Sequence, residues 1–157
     1  MKTTSDNARL EGRCHCGSVV FRVRLSDGLR TARRCDCSYC QMRGYVAVSA
    51  ELNEFEITAG AQWLSLYQFG TQTAQHYFCS RCGIHTHHRR RSKPTQYGVN
   101  AACLDGISPY DFPQVPVNNG ADHPRDRSQA GGRKTIGTLR FVRNDHSCST
   151  AQHHRSR

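Results

Sequence analysis

The stretch CHCGSVVFRVRL, residues 14–25, combines the two features that set the fold of this chain. Val19, Phe21, Val23 and Leu25 alternate with other residues, which is the period of a β-strand with one buried face. The C-x-C-G motif before them places two thiols on a turn, where both sulfurs can reach one metal ion. The stretch therefore predicts a half-buried β-strand that begins at a metal site.

Short segments with strand character recur along the rest of the chain. We predict strands at residues 45–50, 55–57, 63–69, 74–78, 84–88, 96–101 and 136–142. Residues 107–120 contain three prolines and predict an extended edge segment or a loop. Because no sustained 3.6-residue periodicity and no internal repeat occurs, the predicted class is mainly β.

The predicted segments and the net charge of the chain indicate which classes of partner it can bind. The 157 residues predict a flexible N-terminal arm at 1–11, one zinc domain at 12–142 and a disordered basic tail at 143–157. The formal net charge is +10, and seven thiolates on two Zn²⁺ would leave about +7. Such a basic chain favours anionic partners, from nucleic acid to a small carboxylate.

The N-terminus and the hydropathy of the chain predict its compartment. No run approaches the ~18 apolar residues of a membrane span, and the first residues lack the apolar core of a signal peptide. We therefore expect a cytoplasmic protein without a membrane partner. In a reducing compartment, clustered cysteines indicate metal ligands rather than disulfides.

Seven of the nine cysteines fall into three motifs, C-x-C-G, C-x-C-x-x-C and C-x-x-C-G. The triplet spans only six residues, so its sulfurs can converge on one ion at little loop-closure cost; it comprises Cys35, Cys37 and Cys40. The two pairs then form a four-thiolate site, which is closed and therefore structural; it comprises Cys14, Cys16, Cys79 and Cys82. Zinc suits clustered thiolates.

The triplet leaves one coordination position for another ligand. Three protein ligands with an exogenous fourth partner is the arrangement of a catalytic zinc. Two alternatives stay open. His15, His76 or His85 would complete a structural site of three cysteines and one histidine, or the seven sulfurs divide differently between the ions.

With these motifs assembled, the chain resembles the glutathione-dependent formaldehyde-activating enzyme (GFA) family, whose domain is shared with centromere protein V. The resemblance rests on residues 12–21, 35–40 and 76–83, and more weakly on 97–106. It implies a β-tent fold with two zinc ions per chain. The implied division of ligands is Cys14, Cys16, Cys79 and Cys82 on a structural zinc, and Cys35, Cys37 and Cys40 on a functional zinc. The segment IHTHHRRRSK departs from the family, which tends to be apolar there.

The resemblance also implies an activity. The namesake reaction joins glutathione and formaldehyde into S-hydroxymethylglutathione, which is a carbon–sulfur lyase reaction run in reverse. We therefore predict a zinc-dependent, carbon–sulfur lyase-type enzyme that acts on thiol–aldehyde adducts, with Cys35, Cys37 and Cys40 as its catalytic residues. The alternative is a non-catalytic zinc-stapled binding module whose basic face contacts nucleic acid or another acidic partner.

Other residues receive weaker assignments. Tyr39 is expected to pack, with a hydrogen bond to substrate as its functional alternative, and His76 to lie at the surface or half-buried. Cys103 is predicted to be a small core residue, and Cys148 has no assigned role. The basic run HHRRRSK, residues 87–93, predicts either a carboxylate-binding surface or a solvated strand end and turn.

Overall fold

The computed structural model describes residues 8–123 and 135–144 of the chain. The strands of this part are β1 Arg9–Arg13, β2 Val20–Arg24, β3 Ser26–Leu29, β4 Arg34–Cys35, β5 Ala47–Glu51, β6 Phe55–Ala59, β7 Leu64–Tyr67, β8 Gln75–Cys79, β9 His85–Arg89, β10 Gln96–Asn100, β11 Gln114–Asn118 and β12 Thr135–Arg140. The α-helix α1 spans Ser38–Arg43, and short 3₁₀ turns lie at Leu52–Glu54, Ala61–Trp63, Ala101–Cys103 and Pro109–Asp111. The mainly β class is confirmed.

The strands form three sheets. An antiparallel sheet of order β1-β2-β6 contains the first predicted strand, and a five-stranded antiparallel sheet has the order β5-β10-β9-β8-β7. The third sheet has the order β12-β11-β4, in which β4 runs parallel to β11. An isolated bridge between Gly12 and Leu104 connects β1 to the turn that follows β10.

The hydrophobic core contains residues from all three sheets. The predicted alternation in and around β2 is confirmed, because Val19, Phe21, Val23 and Leu25 are all buried. Strand β5 is buried on both faces, as expected for a continuous apolar run. The core cluster comprises Phe21, Val23, Leu25, Ala32, Val46, Val48, Ala50, Val99, Ala101, Cys103, Leu104, Phe112 and Val115.

Three segments differ from their predictions. Residues 9–11 belong to β1 rather than to an arm, because Leu10 packs against the core and Glu11 pairs with Arg22 across the strands. Residues 107–120 contain β11 in the middle of a sheet; β4 reaches only its last two residues, so Pro116 meets no strand on that side. The triplet loop contains the helix α1.

The structure does not describe three segments of the chain. Residues 1–7, 124–134 and 145–157, including most of the predicted tail and Cys148, lie outside the described residues. Among the described residues, none of the helices has the length and the apolar character that crossing a membrane requires.

Candidate metal centres

Four cysteines meet where the β1–β2 turn approaches the β8–β9 turn. The ligand atoms of Cys14, Cys16, Cys79 and Cys82 all lie within 4.8 Å of one another. The Sγ–Sγ distances are 3.6 Å from Cys16 to Cys14 and 3.8 Å from Cys16 to Cys79. Tetrahedral zinc with Zn–S bonds of about 2.3 Å requires sulfurs about 3.8 Å apart, whereas a disulfide requires about 2.05 Å. The cluster therefore fits one tetrahedral ion and not two disulfides.

Each cysteine turn depends on the glycine that ends its motif. Gly17 and Gly83 have φ values of 73° and 75°, in the left-handed region that glycine adopts without steric cost. The Gly17 amide donates to the Cys14 carbonyl at 3.0 Å, and the Gly83 amide donates to the Cys79 carbonyl at 2.7 Å. These tight turns bring both sulfurs of each pair to the same side of the backbone.

The second cluster lies at the end of β4 and the start of α1. The sulfurs of Cys35, Cys37 and Cys40 also lie within 4.8 Å of one another, and the Cys37 sulfur accepts a hydrogen bond from the Cys40 amide at 3.4 Å. Within residues 8–123 and 135–144, no fourth histidine, cysteine or carboxylate ligand atom lies that close to all three. The exposed His15 lies outside the triplet, as do His76 and His85.

The electrostatics of the triplet favour a cation. Hydrogen bonds with Cys35 and Cys40 lower the pKa of Cys37, whereas hydrogen bonds with Cys35 and Cys37 raise the pKa of Cys40. Three thiols this close cannot all ionise without a compensating positive charge, since each thiolate disfavours the next. The residues present thus fit a thiophilic divalent ion such as zinc.

A loop from the third sheet closes over the triplet. The Asp36 carboxylate accepts hydrogen bonds from the amides of Gly120 at 2.6 Å and Ala121 at 3.0 Å. An added Cβ at Gly120 would lie 2.2 Å from the Cys35 sulfur, so any larger residue there would require the loop or the sulfur to move. Sequence analysis missed both Asp36 and Gly120, because nothing local to either residue indicates that the chain brings them together.

The triplet forms one wall of a cavity of about 280 Å³. The lining residues are Cys35, Cys37, Ser38, Cys40, Phe69, Gly70, Thr71, Ala74, His76, His88, Arg90, Arg91, Ser92, Gly120, Ala121 and His123. Part of the predicted basic run therefore lies beside the triplet. His87 instead packs against Tyr77 on the other face of β9, and Lys93 pairs with Glu51.

Comparison with known proteins identifies the family of this domain. The profile of the glutathione-dependent formaldehyde-activating enzyme family matches residues 9–117. This chain belongs to the GFA family. The match begins at β1 and ends in β11, and it includes both cysteine clusters, so the family predicted from the motifs is confirmed.

Two known proteins are similar to this GFA-family member in sequence or in structure. It is 37% identical over 81 residues to a Halomonas elongata protein named "Putative glutathione-dependent formaldehyde-activating enzyme", a match that covers 46% of this chain and 51% of that protein. The chain thus matches about half the length of this curated relative. A crystal structure of a Rhodobacter sphaeroides protein matches with a TM-score of 0.67 and 53% identity, over 68% of this chain and 98% of the other.

Two residues near the cavity of this GFA-family member can now be compared with their predictions. Tyr39 packs as expected, with its ring centroid 4.4 Å from that of His76 and 5.0 Å from that of Tyr67. The prediction for His76 was wrong, because its exposed fraction is only 2%. Burial lowers the pKa of His76 to about 4.

His76 belongs to a third cluster of ligand atoms, together with His85 and His88. Burial also lowers the pKa of His85 and of His88, so these imidazoles are neutral at pH 7. Sequence analysis considered His76 and His85 as metal ligands only at a cysteine site. The IHTHH spacing was the available signal for a separate cluster, but an ideal strand would not place His85 and His88 on one face.

Proposed function

We propose that this chain catalyses the addition of a thiol such as glutathione to an aldehyde such as formaldehyde, and the reverse cleavage of the carbon–sulfur bond. The observation that carries the proposal is the cavity, which has the convergent sulfurs of Cys35, Cys37 and Cys40 on its wall together with Arg90 and Arg91. The triplet would hold a functional zinc, and the four-cysteine cluster a structural zinc.

The proposed reaction needs no oxidant or further reactant. A carbon–sulfur bond forms between the thiol and the aldehyde carbon, the C=O π bond becomes a C–O single bond, and the thiol proton passes to the oxygen. A zinc ion held by the triplet would supply a position at which a sulfur is kept as its thiolate or a carbonyl is polarised. Three thiolates leave Zn²⁺ with a net charge of −1, which favours thiol chemistry over hydrolysis.

Two arginines of the cavity would recognise the thiol substrate. Arg90 and Arg91 place positive charge beside the triplet, where the carboxylates of a glutathione-like thiol would be attracted. Arg91 also donates to the Gly120 carbonyl at 3.2 Å, which ties this charge to the loop over the cysteines. The volume of about 280 Å³ lies just below the range of about 300–1,000 Å³ that is usual for small-molecule sites.

The test compares Cys37→Ser with Cys103→Ser. Both change one sulfur to oxygen, but Cys103 lies in the core outside the three clusters of ligand atoms. We expect Cys37→Ser to bind one zinc fewer and to lose adduct turnover, measured by NMR of glutathione and formaldehyde above the uncatalysed rate. Cys103→Ser is expected to keep both. Loss of the metal with unchanged turnover would contradict the proposed role of the triplet.

The predicted binding-module alternative gives a different result in the same experiment. If zinc only builds the fold, neither wild type nor Cys103→Ser accelerates adduct formation with any thiol–aldehyde pair. A basic face that contacts nucleic acid would instead retain DNA or RNA in a gel shift, and this binding would weaken steeply with salt. Adduct turnover is expected to show no such salt dependence.

A further inference from the structure

The histidine cluster lies on two adjacent strands of the large sheet. His76 of β8 is paired directly with His88 of β9, and His85 lies at the start of β9. Their ligand nitrogens lie within 4.8 Å of one another, and their ring centroids are separated by 5.3 Å to 6.0 Å. A tetrahedral ion with Zn–N bonds of about 2.1 Å requires nitrogens about 3.4 Å apart. That spacing falls within the 4.8 Å limit.

A β-bulge aims His85 and His88 at the same point. Residues three apart face opposite sides of a regular strand. Here Tyr77 pairs with His87 and Phe78 pairs with His85, so Thr86 is an extra residue without an opposite partner. The bulge turns His85 to the face of His88 and leaves His87 on the other face. Bulges commonly re-aim side chains beside functional sites.

Three buried ring nitrogens of this cluster make no hydrogen bond within the described residues. Nδ1 of His76 and both ring nitrogens of His85 are buried and make no hydrogen bond to any described residue. Such groups are nearly always satisfied in proteins, so orphaned nitrogens in a cluster of three histidines need an explanation. A shared ion would accept a lone pair from one nitrogen of each ring, and each neutral imidazole would keep its proton on the other nitrogen.

His88 is already oriented as a ligand. Its Nδ1 lies 2.7 Å from the Tyr45 hydroxyl, which leaves Nε2 as the nitrogen available to a metal. Metal-binding histidines usually hold their second nitrogen in such a bond, which sets the tautomer and the ring direction. On its other side the ring lies against Gly98, where an added Cβ would come within 2.2 Å of His88 Cε1.

We propose that His76, His85 and His88 form a third metal site, distinct from both cysteine clusters. Three neutral imidazoles suit a borderline divalent ion such as Zn²⁺, Co²⁺ or Ni²⁺ and do not suit Ca²⁺ or Mg²⁺. His76 and His88 also line the cavity, so an ion can reach the site from there. This site does not depend on the proposed reaction, since it concerns binding alone.

The test counts bound zinc in four variants of the full chain after saturation with Zn²⁺ and removal of excess metal. His85→Phe is compared with His87→Phe, which makes the same substitution on the same strand at the same exposed fraction of 3%. We expect His85→Phe to bind one equivalent fewer than wild type and His87→Phe to bind as many. Cys37→Ser is expected to lose one equivalent, and the double variant Cys37→Ser/His85→Phe to lose two.

Each outcome of this count decides the proposal. An unchanged count in His85→Phe would overturn it, and so would a double variant that loses only one equivalent, because the histidines would then complete the triplet site. Failure of the proposed enzyme function would leave the count unaffected. If His85→Phe does not fold, Tyr45→Phe replaces it, with one equivalent of Zn²⁺ first bound at each cysteine cluster. We expect about 10- to 100-fold weaker Co²⁺ binding at the histidine cluster, whose Co²⁺ spectrum lacks thiolate-to-metal charge transfer. Unchanged Co²⁺ affinity in a folded Tyr45→Phe would also overturn the proposal.

Discussion

Gly120→Ala is the substitution that most directly tests how the triplet is assembled. The new Cβ would lie 2.2 Å from the Cys35 sulfur and 3.2 Å from the Cys37 Cβ. An ordinary contact requires about 3.5–4.0 Å, so either the loop or the sulfur must move by about 1.5 Å. A zinc–sulfur bond tolerates only about 0.2 Å. In Gly120→Ala, therefore, either the loop leaves its position or Cys35 is displaced as a zinc ligand.

The loop is held in place by its hydrogen bonds. Asp36 accepts from the amides of Gly120 and Ala121, and Arg91 donates to the Gly120 carbonyl. Moving the loop would break charge-assisted bonds worth about 1.5–3 kcal/mol each. We therefore expect the Cys35 sulfur to move instead, with a loss of zinc affinity that exceeds the 10- to 100-fold typical of changes around the ligands.

The assay is zinc stoichiometry and affinity in the presence of a competing chelator. We expect Gly120→Ala to bind one zinc fewer than wild type and to keep the metal of the four-cysteine cluster. Gly137→Ala is the matched control, because an added Cβ there meets nothing within 4 Å. Wild-type zinc affinity in Gly120→Ala would refute the reasoning, since it would mean that the loop yields at little cost.

Three further predictions follow from the same structure. Asp36→Ala removes the carboxylate that holds residues 120 and 121, and we expect about 10- to 100-fold weaker zinc binding at the triplet by chelator competition; an unchanged affinity would show that the loop is held without it. Gly98→Ala displaces the His88 ring, and we expect Co²⁺ binding at the histidine cluster to be lost while both cysteine clusters keep their metal; retained Co²⁺ binding would contradict this. Burial raises the pKa of Cys103 to about 12, so at pH 8 its thiol stays protonated and we expect iodoacetamide to label it, by mass spectrometry, only after denaturation. Labelling in the native protein would contradict that expectation.

Local sequence patterns predicted the cysteine motifs and most of the strands, although not β1, β3, β4 or the central position of β11. The alternation of Val19, Phe21, Val23 and Leu25 predicted a buried face because side-chain direction in a strand depends only on the neighbouring residues. Chelation within a turn is also local, so each cysteine motif was visible in the sequence. Assigning the triplet to one ion left the two distant pairs for the other, and the structure brings these pairs together. The predicted family is confirmed, since its profile matches the same motifs.

The contacts around the metal centres that the sequence did not predict depend on strand pairing between distant parts of the chain. The pairing of β4 with β11 brings Gly120 against Cys35, and no pattern near either residue indicates that contact. The bulge at Thr86 sets the directions of His85 and His88, and it is visible only when β9 is paired with β8. A one-residue shift in pairing turns a side chain to the other face of a sheet, so the positions of these ligands depend on tertiary structure and cannot be obtained from spacing.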